Sequence, residues 1–258
     1  MHKSQKKIES SIFGRTVLII AEDPVARESI AGAFQNFQCQ VLLAHNEADA
    51  MHLLYTNPQI QLVLIDVPSP ISRGFEFLNR IRSLEEDYPP IFFITDKRDE
   101  HFNESFFHGV EAIFMKPINN DALVEGIVFS YGMLVDHSDR KFRRKRIRRA
   151  RAQFDFSAPP LVTSSPTAKA TPGNGYVTNI SLGGMYICSM AALPALGQMI
   201  NFKVICDEND EQIEFAGSAH VKWLRKDTDH GRPPGFGIEF ENLSPSDTDL
   251  IKSIAKLS

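Results

Sequence analysis

The chain has 258 residues, 43% of them hydrophobic and 23% charged, with a formal net charge of −4. That length favours two domains over one core, and no apolar run approaches the ~18 residues that a membrane span needs. Its three cysteines, Cys39, Cys188 and Cys206, lie far apart with no CxxC spacing, which argues against a disulfide framework or a thiolate metal site and for reduced thiols in a cytoplasm.

The opening "MHKSQKKIESSIFG" is basic but has no apolar stretch, so residues 1–13 read as a short tail, not a secretory signal. Five short apolar runs follow: "TVLII" (16–20), "QVLLA" (40–44), "QLVLID" (61–66), "PIFFIT" (90–95) and "EAIFM" (111–115). Most are continuous, as strands buried on both faces are. The stretches between and after them, about 24–37, 46–56, 73–84, 99–108 and 119–135, suit helices. Five strand–helix repeats predict an α/β, doubly wound parallel sheet over 14–136.

In such sheets sites gather at the carboxyl ends of the strands. Here those ends carry Glu22 and Asp23, then Asp66, Thr95 and Lys116-Pro117. Carboxylates, a hydroxyl and an amine on one edge are the parts for making an acyl phosphate. A carboxylate attacks phosphorus, Mg2+ held by one or two acids neutralises the transferring oxygens, and the amine and hydroxyl contact the product. The last helix (121–136) is unusually apolar. Leu123, Val124, Ile127, Val128, Leu134 and Val135 take sheet-facing positions at helical spacing, while Val128, Phe129 and Met133 leave apolar surface for a homodimer face.

This half resembles the receiver domain of bacterial response regulators. "LVLIDVPSP" matches that family's phosphoacceptor strand, "ISRG" supplies Gly74, "FFIT" the switch hydroxyl and "IFMKPI" the Lys-Pro pair. The resemblance implies a flavodoxin-like fold with Asp66 as phosphoacceptor, supported by Glu22, Asp23, Thr95 and Lys116. It further implies Mg2+ on Glu22 and Asp66 and a histidine kinase as partner. Two positions depart from the family pattern: Ala21 stands where the first of two acids is expected, and Ile113 where an aromatic switch residue is expected. A receiver fold kept as a docking or dimer scaffold is the competing expectation.

Residues 140–151, "RKFRRKRIRRAR", hold nine Lys or Arg and no acid, and the remaining chain carries 19 basic against 32 acidic residues. An acidic chain with one concentrated basic segment points to a local anionic ligand more than to a nucleic-acid coat. Beyond it, "RAQFDF" (151–156) alternates, and "SAPPLVTSSPTAKATPGNG" (157–175) reads as an exposed loop. "YVTNIS", "GMYICS", "QMINFKVIC", "IEFAGSAHVKWLR" and "GFGIEFEN" are strands separated by turn chemistry. They predict a small antiparallel β-barrel over 151–258 with a C-terminal helix, which Ser244 caps with Asp247 in the first turn.

An arginine cluster before the first strand, then "NISLGG" at the second, resembles the PilZ domain. That family binds cyclic di-GMP through RxxxR in an N-terminal arm and [D/N]xSxxG on the barrel. Asn179, Ser181 and Gly184 fill the second motif, with Gly183 beside them. In the arm (137–150, of which 143–150 belongs functionally to the barrel), Arg144 and Arg148 fit the spacing best, with Arg143 before them. Arg149 and Arg151 are rivals, and alignment from the following strand favours a later register. Arg140, Lys141 and Arg146 read as a solvated face. Arginine can grip guanine O6 and N7, stack on a base and pair with phosphate. Asn179 offers a donor and an acceptor to a base edge, Ser181 can bind phosphate or a base, and the glycines allow close approach and positive φ.

The expectation is therefore a cytoplasmic, non-enzymatic signalling protein. It couples a receiver-like domain to a cyclic di-GMP sensor, and its output is contact with a further protein. A PilZ adaptor without ligand, or a nucleic-acid binder using the arm, are the alternatives. Nucleic acid is disfavoured because the arm interleaves only Phe142 with its charges. No GxSxG, P-loop or GxGxxG is present, and the histidines show no metal-type spacing.

Overall fold

A computed structural model describes residues 12–84, 88–135, 145–147, 149–156, 171–189, 193–208, 211–226 and 231–255. The chain forms two compact units divided at 136/137, with 230–232 grouped with the first.

The first unit runs β1 (Thr16–Ile20), α1 (Pro24–Gly32), β2 (Gln40–Ala44), α2 (Glu47–Thr56), β3 (Ile60–Asp66), α3 (Arg73–Leu84), β4 (Ile91–Thr95), α4 (Glu104–Phe107), β5 (Ala112–Met115) and α5 (Asn120–Val135). Its five strands are parallel in the order β2-β1-β3-β4-β5, the flavodoxin-like arrangement. Strands β1 and β4 are buried along their whole length, which is why their sequences are continuous apolar runs. On one face Val17, Ile19, Leu62, Leu64, Phe92 and Ile94 pack with Ile30 of α1 and Leu123 and Ile127 of α5. On the other, Gly74 of α3 lies so close to Phe93 and Val67 that an added Cβ would stand 3.1 Å from each.

Four expectations change. Ile12 is buried and belongs to this core, so the fold begins before residue 14. The helix expected over 24–37 ends at Gly32, and a 3-10 turn at Gln35–Phe37 follows, with Gln38 in the left-handed region at φ 52°. The helix expected over 99–108 shrinks to α4. Asp99 turns its carboxylate onto the His101 amide, a local bond that competes with helix initiation. In α5, Leu123, Val124, Ile127 and Val128 are all buried. Val128 therefore belongs to the core and not to a spare dimer face; the side chains of Phe129, Met133, Leu134 and Val135 lie outside the described ones.

The second unit contains β6 (Lys145–Arg146), β7 (Ala150–Phe156), β8 (Thr171–Ser181), β9 (Gly184–Cys188), β10 (Met199–Glu208), β11 (Glu211–Arg225), β12 (Gly235–Asn242) and α6 (Pro245–Ala255). Strands β7, β10, β11, β12, β9 and β8 pair in that order, and β8 pairs back to β7, which closes a six-stranded antiparallel barrel. Alternate residues of β7, from Ala150 to Phe156, point inward. Strand β8 starts at Thr171, so 171–175 is paired strand and not the expected loop. Residues 157–170 lie outside the described ones. Ser244 caps α6: its Oγ accepts from the Asp247 amide at 3.0 Å and donates to the Asp247 carboxylate at 2.6 Å. The helix lays Ile251 and Ile254 into the barrel core, and burying such a side chain contributes ~1.5–3 kcal/mol. Among the described residues no helix is long and apolar enough to cross a membrane.

The capped helix is predicted to be a structural plug. Ile251 is 0% exposed, so Ile251→Ala should lower barrel stability by ~2–5 kcal/mol. Urea unfolding followed by the single tryptophan, Trp223, measures it.

Candidate functional site

In the first unit, register sets Asp66 opposite Ile94 and Thr95 opposite Met115. The exits of β3, β4 and β5 are thereby level. Lys116, the next residue on β5's exit, brings Nζ to 2.7 Å from each oxygen of Asp66. The Asp66 side chain is 6% exposed and that of Lys116 31%. Removing either partner of so enclosed an ion pair leaves a charge without compensation. The Thr95 side chain is fully buried. Its hydroxyl makes long contacts, 3.4 Å to the Lys97 carbonyl and 3.5 Å to the Asp96 carboxylate.

The other acids behave differently. Asp23 caps α1, accepting from the amides of Val25 and Ala26 at 3.1 and 3.2 Å. Its carboxylate is thus engaged by its own helix. Glu22 is exposed. Buried Arg27 donates through Nη1 to the Ala21 carbonyl at 2.6 Å, with a longer 3.4 Å contact to that of Glu22. Among the described residues no group of three or more His, Cys, Asp or Glu is placed to hold a metal ion. Ala21 contributes no donor here, and Asp66 is paired with Lys116.

In the second unit, the β8–β9 hairpin carries "NISLGG". Ser181 pairs with Gly184 across the two-residue turn Leu182-Gly183. The Ser181 side chain is buried, and its Oγ donates to the Gly184 carbonyl at 3.1 Å. This hydroxyl therefore braces the turn. Gly183 accepts from the Phe240 amide through its carbonyl at 3.0 Å. Gly184 is needed for close approach: a Cβ would collide with the Ile238 carbonyl of β12. Neither Gly183 nor Gly184 uses positive φ, so the expected left-handed backbone is absent there.

Asn179 is different. Among the described residues its Oδ1 is buried with no hydrogen-bond partner, and its Nδ2 makes a long 3.4 Å contact to Thr178 Oγ1. An unpaired buried acceptor costs ~1–3 kcal/mol. Asn179 stands in a cross-strand row with Tyr186 of β9, Gly237 of β12 and Trp223 of β11. Met185 and Ile187 point into the core, so Tyr186 between them faces away from it. The Tyr186 and Trp223 rings stack at 4.8 Å and 5° over Gly237, where a Cβ would strike the Trp223 indole. Arg225 lies 5.2 and 5.4 Å from the two ring centroids. Its Nη1 donates to Tyr186 Oη at 3.2 Å, and that hydroxyl donates to the Pro233 carbonyl at 2.8 Å. Nearby Cys188 is an enclosed thiol whose pKa burial pushes up to about 12, so it is unreactive at neutral pH.

The basic arm meets the barrel at this row. In β6, Lys145 pairs with Ile180 and Arg146 with Asn179. Ile147 donates its amide to the Thr178 carbonyl at 3.2 Å and buries its side chain in the barrel core. Pairing resumes at Arg151 opposite Tyr176. Arg149, just before it, is exposed with φ 48°; left-handed non-glycine residues concentrate at functional sites. Arg143, Arg144 and Arg148 lie outside the described residues. Sequence reasoning set Arg146 aside, and it did not single out Tyr186, Trp223, Arg225 or Gly237. Only strand register brings these together, and a single sequence carries no direct signal of register.

Comparison with known proteins agrees with both units. The family model of the response regulator receiver domain matches residues 17–128, and that of the PilZ domain matches 139–256. The chain is 23% identical to the Regulator of RpoS of Escherichia coli (strain K12) over 140 residues, which is 51% of this chain and 41% of that protein. It is 33% identical to the Fimbriae Z protein of Salmonella typhimurium over 96 residues, 36% of this chain and 42% of that protein. It therefore spans about two fifths of the length of these curated relatives. Of solved structures, a response regulator from Thermotoga maritima aligns with TM-score 0.43 and 22% identity, over 46% of this chain and 99% of its own. The chemotaxis response regulator CheY4 of Vibrio cholerae aligns with TM-score 0.40 and 19% identity, over 45% and 98%. The chain thus joins two families, with a response regulator receiver domain in its first half and a PilZ domain in its second.

Proposed function

We propose that the barrel binds cyclic di-GMP along the row that begins at Asn179, and that the receiver unit supplies a second signalling input. The observation that carries this reading is the buried Asn179 Oδ1 without a partner. A guanine edge supplies the missing donor, and the Asn179 amide can donate in return. The arm passes directly beside this position, and its arginines suit guanine edges and phosphates. Ser181 and Gly184 act here by shaping the turn that presents Asn179, since the Ser181 hydroxyl is engaged by the Gly184 carbonyl. The protein works in the cytoplasm without catalysing a reaction, and its output is contact with another protein once the arm is ordered over the ligand.

In the receiver unit Asp66 is the acceptor carboxylate and Lys116 its counter-charge. A histidine kinase is the partner that this chemistry implies. The acceptor is a poor one, because Ala21 removes an acid and Asp23 is engaged as a helix cap.

Two outcomes test the reading. Asn179→Ala should weaken cyclic di-GMP binding by ~1–3 kcal/mol while leaving circular dichroism unchanged; Arg148→Ala should do the same. Trp223 fluorescence reports the titration, since the chain has one tryptophan. Acetyl phosphate with Mg2+ should label Asp66 slowly by intact-mass spectrometry, and Ala21→Asp should speed it. Rapid labelling of the wild type would contradict the poor-acceptor assignment.

A further inference from the structure

The loop after the acceptor strand, Val67–Ile71, contains two prolines and so has three backbone N–H groups. All three are engaged. Val67 donates to the Ile94 carbonyl at 2.8 Å. Ser69 donates to Asp96 Oδ1 at 2.9 Å, and Ile71 to Asp99 Oδ2 at 2.8 Å. The Ser69 hydroxyl adds a bond to the same Asp99 oxygen at 3.1 Å. The second Asp99 oxygen accepts from the His101 amide at 2.9 Å. Asp96 Oδ1 also takes the long 3.5 Å contact from the Thr95 hydroxyl. Two carboxylates from the loop after β4 thus fasten the loop after β3.

These are charge-assisted bonds, roughly twice as strong as neutral ones. Burial alone would raise the Asp99 carboxyl. The amides of Ile71 and His101 and the Ser69 hydroxyl outweigh that and hold it below the usual aspartate range. The Ser69 amide lowers Asp96 likewise. The loop is anchored at both ends by buried Val67 and Ile71.

We propose that Asp96 and Asp99 form a carboxylate latch that keeps the loop after Asp66 closed and the Thr95 hydroxyl on the β4 side. The latch ties the exits of β3 and β4 into one rigid piece, so a change at Asp66 moves this face only when the latch opens. That consequence rests on the reading of Asp66 as an input site; the latch itself belongs to the free protein.

Amide hydrogen exchange by NMR on the full chain, with no ligand or phosphodonor, tests it. In Asp99→Ala the Ile71 amide should exchange at least ~10-fold faster, while Val67, bonded to Ile94, keeps its protection. Ser69→Ala should give a smaller rise at Ile71. Unchanged Ile71 protection in folded Asp99→Ala overturns the latch. If Asp99→Ala loses Val67 protection as well, Asp99→Asn decides in its place: faster exchange at Ile71 with Val67 still protected supports the latch, and wild-type exchange at Ile71 overturns it. Failure of cyclic di-GMP binding or of Asp66 labelling leaves this result standing, because neither enters the measurement.

Discussion

Strand β8 is hydrogen-bonded to β7 on one side and to β9 on the other, and this double pairing closes the barrel. The proposed nucleotide site depends on that closure. With Val177 and Ile180 fixed in the core, the residues between them have little freedom. The β8–β9 ladder is irregular between Val177 and Asn179. Such an irregularity re-aims a short segment, as bulges do beside sites. The segment carries an amide whose oxygen is buried and unpaired. A native fold retains such a group at a cost, and a ligand that donates to it recovers that cost on binding.

The same closure explains the aromatic row. Gly237 has no side chain, so Tyr186 and Trp223 meet above it across three strands. Arg225 fixes the far end through Tyr186 Oη and the Pro233 carbonyl. Of the two rings Tyr186 is buried and Trp223 is half-buried. In the receiver unit the corresponding constraint is the Asp66–Lys116 pair. It is set by β-register, which brings three strand exits level, and the carboxylate bonds to Ser69 and Ile71 hold the adjoining loop.

Much of this was legible in the sequence. Continuous apolar runs identify buried parallel strands, and alternation in "RAQFDF" identifies a barrel strand with Ala152, Phe154 and Phe156 inside. Ser244 and Asp247 announce the start of α6. Asp66, Thr95 and Lys116 stand on one sheet edge, as strand-end chemistry requires. What stayed hidden depends on contacts distant in sequence. The capping role of Asp23 requires seeing both oxygens on its own helix. The bracing role of Ser181 requires the hairpin geometry that turns its hydroxyl to Gly184. Gly173 and Gly175 sit in a stretch that composition marks as loop, yet they pair with β7, where a Cβ on Gly173 would strike the Phe154 ring. The pairing of Arg146 with Asn179 is likewise a matter of register.

Calorimetric titration of the full chain with cyclic di-GMP, against GTP and a linear dinucleotide, tests the central claim most directly. Saturable binding near micromolar, roughly −8 kcal/mol, is expected for cyclic di-GMP alone, with a clear loss of affinity in Asn179→Ala. Absence of heat at several temperatures with the barrel folded, or equal binding by the Asn179→Ala variant, would contradict it.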